Sequence, residues 1–176
     1  QRCLSVTAAG CGWGSTPDPA QREAMKALAA ETGKMFMDEG IVSAAAKYAD
    51  APMRQTHKHK DPRGWAEFAK MLSEHSAIGH GLTMFNLQLK RPTLWEMEEK
   101  LKGFSVPLLV VVGDEDFPCL DGSLFLKRIV PTAALLVVPR SGHTITSEEP
   151  AIFNAALADL FSATETGGWM SHRAAS

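Results

Sequence analysis

The sequence predicts an α/β fold: a parallel β-sheet remnant of about three strands, carrying a long helical insertion. Three observations carry that prediction. First, short β-branched runs stopped by glycine stand at "RCLSVTAAGCG", "VPLLVVVGDED" and "TAALLVVPRSG". Each is apolar along its length instead of alternating, which suits strands covered on both faces. Second, "DGSLFLKRIVP" lies between the last two runs as a helix candidate, with Leu124, Phe125, Ile129 and a stop at Pro131. Strand, helix, strand is the order of a parallel crossover. Third, the stretch between the first two runs shows helix-start signals and no strand pattern.

In chain order, residues 1–12 hold the first core strand and 13–96 the helical insertion, placed where it can roof a pocket. Asp18-Pro19 reads as an N-cap followed by proline in the first turn, opening "AQREAMKALAAETGKMFMDEG". Asp61-Pro62 repeats the device, and Trp65, Phe68, Ala69 and Leu72 then mark one helix face. Thr93 to Glu96 matches a capping box and opens "LWEMEEKLKG". Residues 97–163 return to the core and end in "SEEPAIFNAALADLF". Its apolar residues Ile152, Phe153, Ala156, Leu157, Leu160 and Phe161 recur at helical spacing, and Glu148 and Glu149 suit its positive N-terminal end. Residues 164–176 lack periodicity and read as a disordered tail.

A formal net charge of -2 gives no electrostatic case for nucleic acid or an anionic membrane surface. The longest apolar run, "VPLLVVVG", falls well short of the about 18 residues a membrane helix needs. The opening residues do not read as a secretory signal, so none is expected, and a first residue of Gln suggests part of a longer product. Cys3, Cys11 and Cys119 lack metal-ligand spacing and read as reduced, buried thiols, consistent with a cytoplasmic location. Three fully apolar strands leave a sheet edge whose backbone groups want partners. We therefore expect the N-terminal portion of the core to lie outside this chain.

Chemistry concentrates at two strand ends. "VVVGDEDFP" places Asp114, Glu115 and Asp116 just beyond one buried strand, and "VVPRSGHT" places His143 just beyond the next. Ligands bind outside the carboxyl ends of strands in open α/β sheets. Parallel neighbours would bring both loops to the same edge, where a carboxylate can orient an imidazole and stabilise its protonated form.

"SVPLLVVVGDEDFP" and "LLVVPRSGHTITSEEPAIFNAALADLF" together resemble the C-terminal part of the α/β-hydrolase fold family. "RCLSVTAAGCGWG" resembles the strand before that family's lid, and the helical middle resembles the lid. The resemblance implies that Asp116, fourth in Gly113-Asp114-Glu115-Asp116, is the triad acid, with Asp114 as runner-up and a hydrogen-bonding role in its own loop. It implies that His143 is the base. The family's Gly-x-Ser-x-Gly nucleophile elbow does not occur. "AGCGW" around Cys11 imitates it poorly, because Trp13 stands where a small residue is needed. The family's oxyanion-hole loop is absent as well.

Other features are weaker. "HKHK", His57 to Lys60, lacks a full ligand set beyond Asp61 and reads as a solvated loop, so no metal or cofactor is expected. His75 and His80 fall at a bend between helices and are candidates to face the pocket. Trp65, Phe68, Leu72, Met84 and Phe85 read as packing; those that reach the pocket imply a small, largely apolar, ester-like substrate. Two functions stay open. One is a serine-type hydrolase whose nucleophile comes from a missing N-terminal half. The other is an inactive fragment or interaction module that pairs with another chain at its sheet edge.

Overall fold

The computed structural model describes residues 3–169. Strands β1 (Val6–Ala9), β2 (Leu108–Gly113) and β3 (Ala133–Val138) form one parallel sheet in the order β1-β2-β3. Val6 lies opposite Leu108, and Leu108 opposite Ala133, so the carboxyl ends of all three strands open on one side. Only β2 is buried at every position. β1 and β3 are half-covered, with Val137 42% exposed, because each borders the sheet as described. The expectation of strands covered throughout on both faces therefore holds for the central one alone.

Side chains alternate between two layers, as a pleated strand requires. Leu108 and Val110 pack with Leu126, Ile129 and Val130 from helix α7 (Phe117–Ile129) and its end. Leu109 and Val111 pack on the other face with Ile145 and with Leu160 of α9 (Pro150–Glu165). Burying each of these aliphatic side chains contributes about 1.5–3 kcal/mol, so the central strand anchors the core. α7 starts ahead of the predicted Asp121, because Pro118 is compatible with a first helical turn.

Between β1 and β2 the described chain forms helices joined by turns. The segment 13–96 holds α1 (Pro19–Glu39), α2 (Ile41–Ala49), a 3₁₀ turn (Pro52–Arg54), α3 (Gln55–Lys60), α4 (Pro62–Ser73), α5 (Ala77–Thr83) and a π turn (Met84–Gln88), and α6 (Glu98–Lys102) follows before β2. The predicted caps form. Asp18 accepts from the Ala20 N–H at 2.8 Å, and Asp61 from the Gly64 N–H at 2.9 Å. Thr93 and Glu96 form the reciprocal hydrogen bonds of the predicted box, the Thr93 N–H donating to the Glu96 carboxylate at 2.6 Å and the Glu96 N–H to the Thr93 hydroxyl at 3.1 Å, but they close a turn at 94–97 and the helix itself starts only at Glu98. Trp65, Phe68 and Leu72 pack against Ala45 and Ala49, the packing role expected of them. Met84 and Phe85 crowd Gly33 of α1, where a Cβ would lie 3.0–3.2 Å from their side-chain atoms.

Several expectations are corrected. "HKHK" is not a solvated loop: it lies in α3, and His57 is fully buried. Cys3 is exposed and Cys11 half-buried, leaving only Cys119 buried as predicted. The stretch expected to be disordered from residue 164 instead continues α9 through Glu165. Trp169 then packs on the sheet and donates its indole N–H to the Thr132 carbonyl at 2.8 Å. Residues 170–176 of that expected tail lie outside the described residues. Among the described residues, no helix is long and apolar enough to cross a membrane.

Candidate active site

β2 and β3 are neighbours in register, with Gly113 opposite Val138, so the loops that follow them leave the sheet side by side. The approach is close enough that Gly113 cannot carry a side chain. A Cβ there would lie 2.1 Å from the Ser141 carbonyl oxygen and 2.5 Å from that of Gly142. Backbone bonds stitch the two loops together, from the Asp114 N–H to the Val138 carbonyl at 3.0 Å and from the Glu115 N–H to the Ser141 carbonyl at 3.0 Å. Asp114 adds a side-chain tie, its Oδ1 accepting from the Ser141 N–H at 3.2 Å. This corrects its expected role within its own loop: it bridges to the neighbouring one.

Within this frame His143 and Asp116 meet. Nδ1 of His143 lies 2.8 Å from Oδ2 of Asp116, whose side chain is fully buried. An ionised carboxylate only accepts, so Nδ1 carries the proton and Nε2 is left as the acceptor. Nε2 has no hydrogen-bond partner among the described residues, and His143 lines a cavity of about 360 Å³. Gly10, at the end of β1, passes directly beneath the pair. Its φ of +55° is a left-handed value that glycine tolerates best. A Cβ on it would lie 3.1 Å from Nδ1 and 3.4 Å from Oδ2.

The histidine loop is itself clamped from two sides. Glu148, at the end of α8 (Ile145–Glu148), accepts from the Gly142 N–H at 2.8 Å, the Thr144 N–H at 3.1 Å and the Thr144 hydroxyl at 2.9 Å. Its carboxylate thus serves this loop, and not the start of the closing helix as the sequence suggested. Having donated its only proton to Glu148, the Thr144 hydroxyl accepts from Nδ1–H of the buried His57 at 2.9 Å. The Met53 carbonyl accepts from the His143 N–H at 3.1 Å. The insertion therefore grips the histidine loop through α3 and the turn before it. Glu148→Ala removes three charge-assisted bonds and is expected to cost about 2 kcal/mol or more of stability in urea denaturation. Glu148→Gln should lose less.

Cys119 stands beside the pair, its Sγ 3.8 Å from His143 Nδ1 and 3.2 Å from the Gly10 carbonyl oxygen that it donates to. Burial, reinforced by the Asp116 charge, pushes its thiol far above the ordinary range. It faces the protonated nitrogen of His143 and not the basic one, so it is not a base-activated nucleophile. Burial also raises the Cys11 thiol, with Arg91 only partly opposing the shift, which works against Cys11 as a thiolate nucleophile. Asp116, Cys119 and His143 bring potential ligand atoms within 4.8 Å of one another. A metal there would require the disfavoured thiolate and the loss of the Asp–His hydrogen bond.

The cavity is mainly apolar, with Trp13, Met25, Leu28, Tyr48 and Met84 in its wall, and the polar exceptions Thr32, Arg54, Gln88 and His143. His75 and His80, candidates for the pocket, do not line it. Their ring nitrogens lie 3.1 Å apart, and His80 stacks on Phe36 with ring centroids 4.5 Å apart. The Asp116–His143 pair was legible from two strand-end loops. His57, Thr144 and Arg54 were not, and only the chemistry of "HKHK" as a histidine-bearing run gave any signal.

No protein-family model matches the chain. A protein of Bacillus subtilis (strain 168) carrying the name 2-succinyl-6-hydroxy-2,4-cyclohexadiene-1-carboxylate synthase is 27% identical over 129 residues, which is 71% of this chain and 45% of that protein. Among solved structures, MenH from S. aureus superposes with a TM-score of 0.82 at 13% identity, over 92% of this chain and 60% of that one. A thermophilic esterase from Thermogutta terrifontis gives a TM-score of 0.75 at 19% identity, over 93% of this chain and 57% of that one. The chain thus spans about half the length of the curated relative it matches. With its three-stranded parallel sheet and the helices between β1 and β2, the chain has the fold of these α/β hydrolases.

Proposed function

We propose that this chain supplies the acid and base of a serine-hydrolase-type site acting on an ester or related acyl bond. The observation that carries the proposal is the 2.8 Å contact between His143 Nδ1 and the buried Asp116, which leaves Nε2 as an unpartnered acceptor in a chain whose His143 lines the cavity. In this reading a serine hydroxyl from outside the 176 residues attacks the acyl carbon and gives its proton to Nε2. Asp116 stabilises the resulting imidazolium. Collapse of the tetrahedral adduct breaks the bond to the leaving group, which departs with that proton. Water then repeats the sequence, returning the acid product and the free hydroxyl.

The helical segment 13–96 acts as a lid over the cavity, and its apolar wall favours a small, largely apolar ester-like substrate. MenH from S. aureus and an esterase share this fold, so the bond acted on is decided by residues at the site and not by the architecture. The missing Gly-x-Ser-x-Gly motivates the second reading, an inactive module that pairs through the β1 edge with another chain.

A fluorophosphonate probe tests the division of labour. The 176-residue chain is expected to remain unlabelled, and the complete gene product to label at a serine outside these residues. Labelling of Cys11 or of a serine within the chain would overturn the proposal. Absence of labelling in the complete product would favour the interaction module.

A further inference from the structure

Arg54 is an unusual residue to find in the wall of this cavity. It is only 4% exposed, yet a guanidinium cannot shed its charge on burial. No carboxylate pairs with it among the described residues. Its Nη1 donates to the Tyr48 carbonyl at 3.2 Å, and its Nε has no partner. The guanidinium carbon lies 4.2 Å from the Tyr48 ring centroid and 5.7 Å from that of Phe68. Those ring contacts return only part of what desolvation costs a buried cation. A second buried polar atom without a partner, Gln88 Oε1, belongs to the same cavity wall.

Arg54 is also tied to the candidate active site by the backbone. The carbonyl of the preceding residue, Met53, accepts from the His143 N–H at 3.1 Å. Arg54 and His143 line the one cavity, with the apolar side chains of Met25, Leu28 and Met84 around them. We infer that Arg54 is an anion subsite, and that the substrate is an otherwise apolar molecule bearing a carboxylate remote from the bond acted on. Arginine suits this group because its planar fork matches a carboxylate with two parallel hydrogen bonds. The pairing would give the buried charge the counter-ion that the protein itself does not provide. It would also fix which end of the substrate lies towards His143. The inference rests on the cavity being the substrate site, as proposed above, but not on any bond being broken there.

The test compares hexanoate with hexanamide, its neutral isostere, by isothermal titration calorimetry against the full chain at pH 7.5. Hexanoate is expected to bind at least tenfold more tightly. Arg54→Gln should erase that preference while changing the hexanamide Kd less than threefold, and Arg54→Lys should keep part of it. If the glutamine variant does not fold, the comparison on the unmodified chain still decides. Equal binding, binding of neither ligand, or a preference that survives in Arg54→Gln would overturn the inference. Because the titration involves no turnover, a failed hydrolase assignment would leave its result intact. Loss of the anion subsite would equally leave the Asp116–His143 pair in place.

Discussion

Asp116→Asn in the complete gene product is expected to lower ester turnover by roughly 10⁴-fold, with little change in melting temperature. The side chain is fully buried, and its Oδ2 accepts the Nδ1 proton of His143 at 2.8 Å. An asparagine there can turn its NH₂ towards the ring, which forces the imidazole proton onto Nε2 and removes the base. Stability should change little, because Oδ1 already lacks a partner and replacing a buried charge by a neutral isostere relieves desolvation. Asp114→Asn is the matched control. Asp114 touches Ser141 and not His143, so turnover should fall by less than about tenfold, with a stability loss of about 1 kcal/mol. Steady-state kinetics on both variants decide between the carboxylates. Retention of turnover in Asp116→Asn alongside its loss in Asp114→Asn would reverse the assignment.

Gly113→Ala is expected to destabilise the chain by about 3 kcal/mol or more, a fall of roughly 6–12 °C in Tm for a domain of this size. The added methyl would meet backbone atoms, at 2.1 Å from the Ser141 oxygen, 2.6 Å from the Ser141 carbonyl carbon and 2.5 Å from the Gly142 oxygen. A flexible side chain could swing aside, but these atoms belong to the loop that carries His143. Relief therefore requires the loop to move away from β2, which breaks the bond from the Glu115 N–H to the Ser141 carbonyl and draws His143 from Asp116. Scanning calorimetry reads the first effect. The NMR resonance of the His143 Nδ1 proton reads the second, through loss of its hydrogen bond to Asp116. An unchanged Tm would show that the loop yields without cost.

Much of the fold was legible because it is written locally. The central strand announces itself as a continuous apolar run, and burial at all six of its positions is what such a run encodes. Asp18 and Asp61 cap helices, and the Thr93–Glu96 pair closes a turn, through atoms at most three residues away, so sequence spacing suffices to find them. The Asp116–His143 pair needed one further step, that successive parallel strands place their loops together, and that step is topological and general.

Contacts across the chain were not legible. "HKHK" has the composition of a solvated run, and nothing in it says that His57 faces inward. That is decided by Thr144, 87 residues away, whose hydroxyl supplies the acceptor the buried imidazole requires. Glu148 looked like a helix-end charge until the turn at 142–144 folded back to present two N–H groups and a hydroxyl to it. Arg54 carried no signal, since an arginine in a polar stretch is ordinarily exposed. By itself the sequence determined the α/β class, the helix starts at Asp18 and Asp61 and the two strand ends that bear an acid and a base. Only the tertiary structure decided which polar side chains lose water and which partners they find. Desolvation depends on what packs above a residue, and that packing is assembled from segments far apart in the chain.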